Sequence, residues 1–180
     1  MNRLLVQLQG GDLRSTGPVE RVLAGIKTQA DFDLLAEGLF VPDRLVVMRA
    51  ADALEKITRS QPAFLHKHHA AILGLLPLAT NKELQWHLAL LAPRLKLDET
   101  EQKSVWTQLA AWLTDARGSR IVRVNALQGL YQLAQAYPVF QADFQRLAAV
   151  VRAENIPALQ ARLRRLAKTG AAWLNLTQLL

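Results

Sequence analysis

A set of apolar positions recurs every 38 residues in this 180-residue chain, and that period constrains the fold more than any other feature. Val46, Ala50, Leu54 and Ile57 are matched 38 residues on by Leu84, Leu88, Ala92 and Leu95, and after a second shift by Val122, Ala126, Leu130 and Leu133. Steps of four, four and three place each set on one side of an α-helix, the side that must be buried. Helix-start residues keep the same register. Asp43, Asn81 and Ser119 stand 38 apart, and each can accept a hydrogen bond from the orphan amides of a first turn. Asn155, two residues before Pro157, is expected to open a further copy.

Each copy also announces a second helix. Ser60, Gln61 and Pro62 do so in one copy, Asp98 with Glu101 at capping-box spacing in the next, and Pro138 in the third. The buried positions expected on these helices are Ala71 and Leu75, then Leu109 and Leu113, then Leu147 and Val151. Strand signals are nearly absent, and the helix formers Ala, Leu, Gln and Arg dominate. The repeating element is therefore a helical hairpin. One hairpin cannot bury both its faces, so hairpins are expected to stack side by side. The expected fold is all-α, an α/α superhelix of about four to five hairpins in a single domain over residues 1–180. Residues 41–168 carry the regular repeats and 169–180 form a C-terminal tail. Residues 1–40 leave the register, because Gly10 and Gly11 break any helix begun at Arg3, while Gly17, Pro18 and Glu20 start another. An atypical capping hairpin is expected there.

The segments VVMRAADALEKI, 46–57, and IVRVNALQGLYQLAQ, 121–135, resemble the first helices of HEAT repeats, in which Val-Arg is followed by small residues and Ala-Leu. Val122 and Arg123 fall on the Val-Arg pair, and Ala126, Gly129 and Leu130 on later positions of that pattern. Val47 and Gln85 stand where the family usually has Arg. The chain as a whole is similar to short stand-alone bacterial HEAT proteins. The resemblance implies an extended surface that binds proteins or nucleic acids, usually without chemistry. In the first of the two segments, Arg49 and Asp52 are three apart, and they are expected to pair at the margin of the buried stripe.

Composition closes several other routes. The chain has no cysteine, which excludes disulfides, thiolate metal sites and a cysteine nucleophile. The N-terminal apolar run Leu4, Leu5, Val6 is too short for a signal-peptide core, so a cytoplasmic location is expected. The longest apolar run, Ala70 to Ala79, is about half a membrane span and contains Pro77, so no crossing is expected.

Chemistry finds little footing. His66, Lys67, His68 and His69 form the one histidine cluster, but on a helix only His66 and His69 share a face. A zincin-type site would need two histidines four apart with a glutamate, and neither that pattern nor a Gly-rich phosphate loop occurs. The acids Asp31, Asp33, Asp98, Glu99 and Glu101 fall at helix starts, where the helix dipole favours negative charge. His87 is expected to be a packing residue, and Trp86, Trp106 and Trp112 to fill core and interface positions. No catalytic residue, metal, cofactor or small-molecule substrate is inferred, and the protein is not expected to be an enzyme.

Binding is the expected function. Residues on the exposed side of second helices, Lys67, Lys103, Gln108, Gln141 and Arg146, are the candidate contacts to a partner protein, as in a scaffold or adaptor. A second reading is nucleic-acid binding, in the manner of HEAT-like DNA-repair proteins. It follows the net charge of +7, which is concentrated towards the C-terminus. Arg123, Arg152, Arg162, Arg164 and Arg165 are the candidate contacts to phosphates or an acidic partner. Asp12, Arg14 and Ser15 form a polar N-terminal loop that could also serve binding.

Overall fold

Ten α-helices joined by short 3-10 segments, with no strand, account for the secondary structure of the described residues. The structure is a computed structural model and describes residues 2–11 and 17–174. The chain divides into two compact units, Met1–Lys96 and Leu97–Leu180. The first contains α1 (Arg3–Gln7), α2 (Gly17–Gly25), α3 (Gln29–Ala36), α4 (Arg44–Ile57), α5 (His69–Leu75) and α6 (Lys82–Leu91). The second contains α7 (Glu99–Thr114), α8 (Arg120–Ala136), α9 (Gln141–Ala153) and α10 (Pro157–Ala167).

The first-helix stripes are buried as their spacing predicts, except that Ile57, the last position of the first, is half-exposed. Val46, Ala50 and Leu54 of α4 are in the core of the first unit, as are Leu84 and Leu88 of α6 with Ala92 and Leu95 just beyond it. Val122, Ala126, Leu130 and Leu133 of α8 are buried in the second unit. Within the first unit α4 packs against α2, α3 and α6, and within the second α8 packs against α7, α9 and α10. Helices one period apart are thus direct neighbours, α4 with α6 and α8 with α10.

Small residues allow the closest approach. The 3-10 turn Glu37–Phe40 sits directly on α4, and a Cβ on Gly38 would meet the Ala50 Cβ at 2.6 Å and Leu5 Cδ2 at 2.8 Å. Only hydrogen on Gly38 and a methyl group on Ala50 leave room for that contact.

Most of the expected caps form. Asp43 accepts the Leu45 amide at 2.9 Å, Asn81 accepts the Leu84 amide at 2.8 Å, and Asp98 and Glu101 exchange both capping-box bonds at 2.9 Å. Thr28 and Asp31 add a second capping box at α3. Ser119 stands at the expected position without a side-chain capping bond. Asn155 does not open α10. Ile156 is its N-cap, and Asn155 sits one residue earlier at φ 53°, a left-handed conformation that Asn tolerates better than most residues.

Two of the second-helix stripes depart from expectation, α5 at both positions and α9 at Leu147 but not at Val151. Pro62–His68 forms a 3-10 segment before α5, and the residues buried deepest are Ile72 and Leu76, not the expected Ala71 and Leu75. In the third copy Pro138–Phe140 is also 3-10, and Phe144, Ala148 and Val151 are buried while Leu147 is half-exposed. Three residues per turn instead of 3.6 rotates every side chain that follows. Where the helix starts at its own cap and no 3-10 segment runs into it, as in α7, Leu109 and Leu113 are both buried as expected.

Arg49 lies in the core, not at its margin. Its side chain is fully buried and donates to the Leu8 and Gly10 carbonyls at 2.7 Å, while Asp52 pairs with Lys56 at 3.1 Å. Two other arginines do the same work. Arg94 donates to the Glu55 carbonyl at 2.6 Å near the end of α4, and Arg123 to the Leu113 carbonyl at 2.6 Å near the end of α7. The last carbonyls of a helix have no partner within it and carry partial negative charge, so a guanidinium satisfies both needs.

Polar cross-links carry the period into the N-terminal segment. Lys56 pairs with Glu20 at 2.9 Å and Arg44 with Glu83 at 2.7 Å, and Asp33 pairs with Lys67 and with His68, the latter at 2.7 Å. Each bond spans roughly one repeat in sequence. The hairpin of α2 and α3 therefore docks on the next copy through polar contacts like those between regular copies, although its apolar register differs.

Candidate functional site

In the second unit, α7 and α9 are both second helices of their hairpins, and a groove of about 240 Å³ opens between them. Trp106 and Ala110 of α7 form one wall, and Asp143, Arg146, Leu147 and Val150 of α9 form the other. The residues on each wall are three or four apart, so each wall is one face of its helix. Trp106 is fixed by stacking on Phe140, with ring centroids 4.5 Å apart and planes within 9°. Phe140 holds that position because Pro138 starts the 3-10 turn in front of α9.

Four of the six residues lining the groove are apolar, and Asp143 and Arg146 are charged. Val150 is 55% exposed, and Val139, on the turn before α9, is 75% exposed. Asp143 and Arg146 form an ion pair across one turn of α9, which holds both charged groups beside the Trp106 wall. A space of this size is below the 300–1,000 Å³ typical of small-molecule pockets. It suits one or two inserted side chains.

The expected partner contacts are distributed unevenly. Arg146 alone among them lines the groove. Lys103 is exposed on α7 and pairs with Glu99 at 2.7 Å, Gln108 is half-buried, and Gln141 donates to the Ala134 carbonyl at 3.3 Å. Lys67 belongs to the first unit and is paired with Asp33. The sequence placed Leu147 in the buried stripe and did not name Ala110 or Val150, because alanine, leucine and valine on a helix read as core unless the neighbouring helix is known to stand apart.

The expected phosphate contacts also divide. Arg123 must be withdrawn from that set, since it is 2% exposed and its guanidinium is taken up by Glu154 at 2.6 Å and the Leu113 carbonyl. Arg152 is half-buried. Arg162 is half-buried and donates to the Gln128 side-chain oxygen at 2.7 Å. Arg164 and Arg165 are exposed on α10, as is Lys168 just after it. Asp12, Arg14 and Ser15 lie outside the described residues.

The groups with the most perturbed acidity are structural. Lys67 and Gln29, followed by His68, hold the Asp33 carboxyl far below the usual carboxylate range. Burial pushes His87 down to about 4, and its Nδ1 is enclosed without a hydrogen-bond partner. Among the described residues no three His, Asp or Glu side chains converge as metal ligands, and no helix is long and apolar enough to cross a membrane. Comparison with protein-family models, with curated proteins and with solved structures found no match.

Proposed function

We propose that this chain is a non-catalytic protein-binding scaffold, a HEAT-like helical solenoid that takes a partner protein on its second-helix face. The groove between α7 and α9 carries this reading. It combines a largely apolar lining, a stacked aromatic wall and exposed Val150, the features of a pocket that receives an anchor side chain. The solenoid reading is supported by the packing of α4 on α6 and α8 on α10, and by cross-links that span about one repeat. A binding role without chemistry is consistent with the acids, many of which serve as caps or ion-pair partners within the fold.

Selection of peptides from a random displayed library against the full chain tests the groove. Selected peptides should bind the wild type, and Val150→Asp should weaken them at least tenfold while Gln145→Ala on the same helix leaves them unchanged. Peptides whose binding ignores Val150→Asp would remove the groove as the docking site.

A further inference from the structure

We propose that the outward face of α10 holds the phosphodiester backbone of duplex nucleic acid, through Arg164, Arg165 and Lys168 with Arg162 at the edge. This surface is separate from the groove and does not depend on it. Leu159, Leu163 and Leu166 are the buried side of α10. The opposite side, Ala161, Arg164, Arg165 and Lys168, is exposed. Positions three and four apart on a helix stand about 5–6 Å from each other, so three cations crowd into little more than one turn.

The carboxylates of residues 97–180 are engaged elsewhere. Asp98 and Glu101 form the capping box of α7, Glu99 holds Lys103, and Asp115 accepts the Arg117 amide. Asp143 pairs with Arg146, and Glu154 with Arg123. These six are all the acids of that unit. Within the cluster the cations oppose one another. Burial, and after it the charge of Arg165, holds the pKa of Arg162 below the ordinary guanidinium value, and the bond from Arg162 to Gln128 goes to a neutral oxygen. The α10 dipole favours cations in its last turn, but its effect fades before Arg162. An anion bound across the face would relieve this repulsion.

Phosphate is the anion that fits. Three of the four cations are arginines, whose planar fork bonds phosphate through two parallel N–H groups. A membrane surface is a poorer fit, because α10 buries its leucines and presents no large apolar side chain beside the cations for insertion between lipids. The cluster contains no aromatic ring on which a base could stack, so the contact is to backbone and independent of sequence.

Fluorescence anisotropy with a labelled duplex of about 20 base pairs, titrated with the full chain between about 50 and 200 mM salt, tests this. Wild type should bind in the micromolar range at the lowest salt, with log affinity falling linearly against log salt at about 0.9 per phosphate contact. Arg164→Gln, Arg165→Gln and Lys168→Gln together, checked by circular dichroism, should weaken binding at least tenfold on two unrelated duplexes and lower the slope by about 2 to 3. If the triple variant is misfolded, each single change should lower the slope by about 0.9. Wild-type binding no tighter than about 100 µM at the lowest salt, or a folded variant with unchanged affinity and slope, would overturn the proposal. Displacement of the duplex by poly-glutamate at equal charge would point to an acidic protein. Tighter capture by phosphatidylserine vesicles than by the duplex would point to a membrane. Either result would also overturn it.

Discussion

The Arg94 guanidinium, in the turn after α6, closes on the buried carboxylate of Glu55 in α4, and it also donates to the Thr58 hydroxyl at 2.7 Å. Arg59, just past the end of α4, meets the same carboxylate. Burial would raise the pKa of Glu55, but the hydrogen bonds and charges of the two arginines outweigh it and hold the pKa below the usual value. Arg94→Met should therefore destabilise the protein by about 3 kcal/mol, because it leaves a buried charge with half its partners. Urea unfolding measures this. Arg94→Met combined with Glu55→Met should cost less than the single change, since both buried charges are then gone.

Gly38 offers a steric test of the N-terminal packing. Gly38→Ala places a methyl group against Ala50 and Leu5 at distances that force the 3-10 turn off α4, and it should cost about 1–3 kcal/mol. Gly74→Ala is the control. Gly74 lies in α5 with nothing within 4 Å of an added Cβ, so the change should stabilise by up to about 1 kcal/mol through helix propensity. Denaturation midpoints of the two variants should move in opposite directions.

His87 sets an acid limit on stability. Its folded pKa of about 4 lies below the ordinary imidazole value of 6.5, because burial outweighs the nearby charges of Asp52 and Glu55. The unfolded chain therefore takes up the proton first. The stability gained from keeping this imidazole neutral is complete above about pH 6.5 and is lost as pH falls towards 4, by about 3 kcal/mol in all. His87→Leu should reduce the difference between unfolding free energies measured at neutral pH and near pH 4. An unchanged difference would show that His87 is solvated.

Ala126 and Gln128 check the register of α8. Ala126 is fully buried, so Ala126→Asp places an unpaired charge in the core at a cost of several kcal/mol. Gln128→Asp leaves a carboxylate within reach of Arg162, which already bonds that side chain, and should change stability little. Equal melting temperatures for the two variants would contradict this placement.

The sequence by itself determined the period, the helical hairpin and the buried side of each first helix, because these depend on local rules. A stripe at helical spacing must be buried, and Asp43, Asn81 and Asp98 cap the amides next to them whatever packs nearby. The tertiary structure alone decided the phase of the second helices that follow a 3-10 turn and the fate of the arginines. A few residues of 3-10 helix after Pro62 move the buried side of α5 by one position, and after Pro138 Ala148 is buried in place of Leu147 while Val151 keeps its place. An arginine has a long stem and a charged fork, so the same residue type can cover a surface or plug the carbonyl end of a neighbouring helix. Arg164 and Arg165 do the first, Arg49 and Arg123 the second, and the choice between them rests on which helix end lies within reach of the side chain.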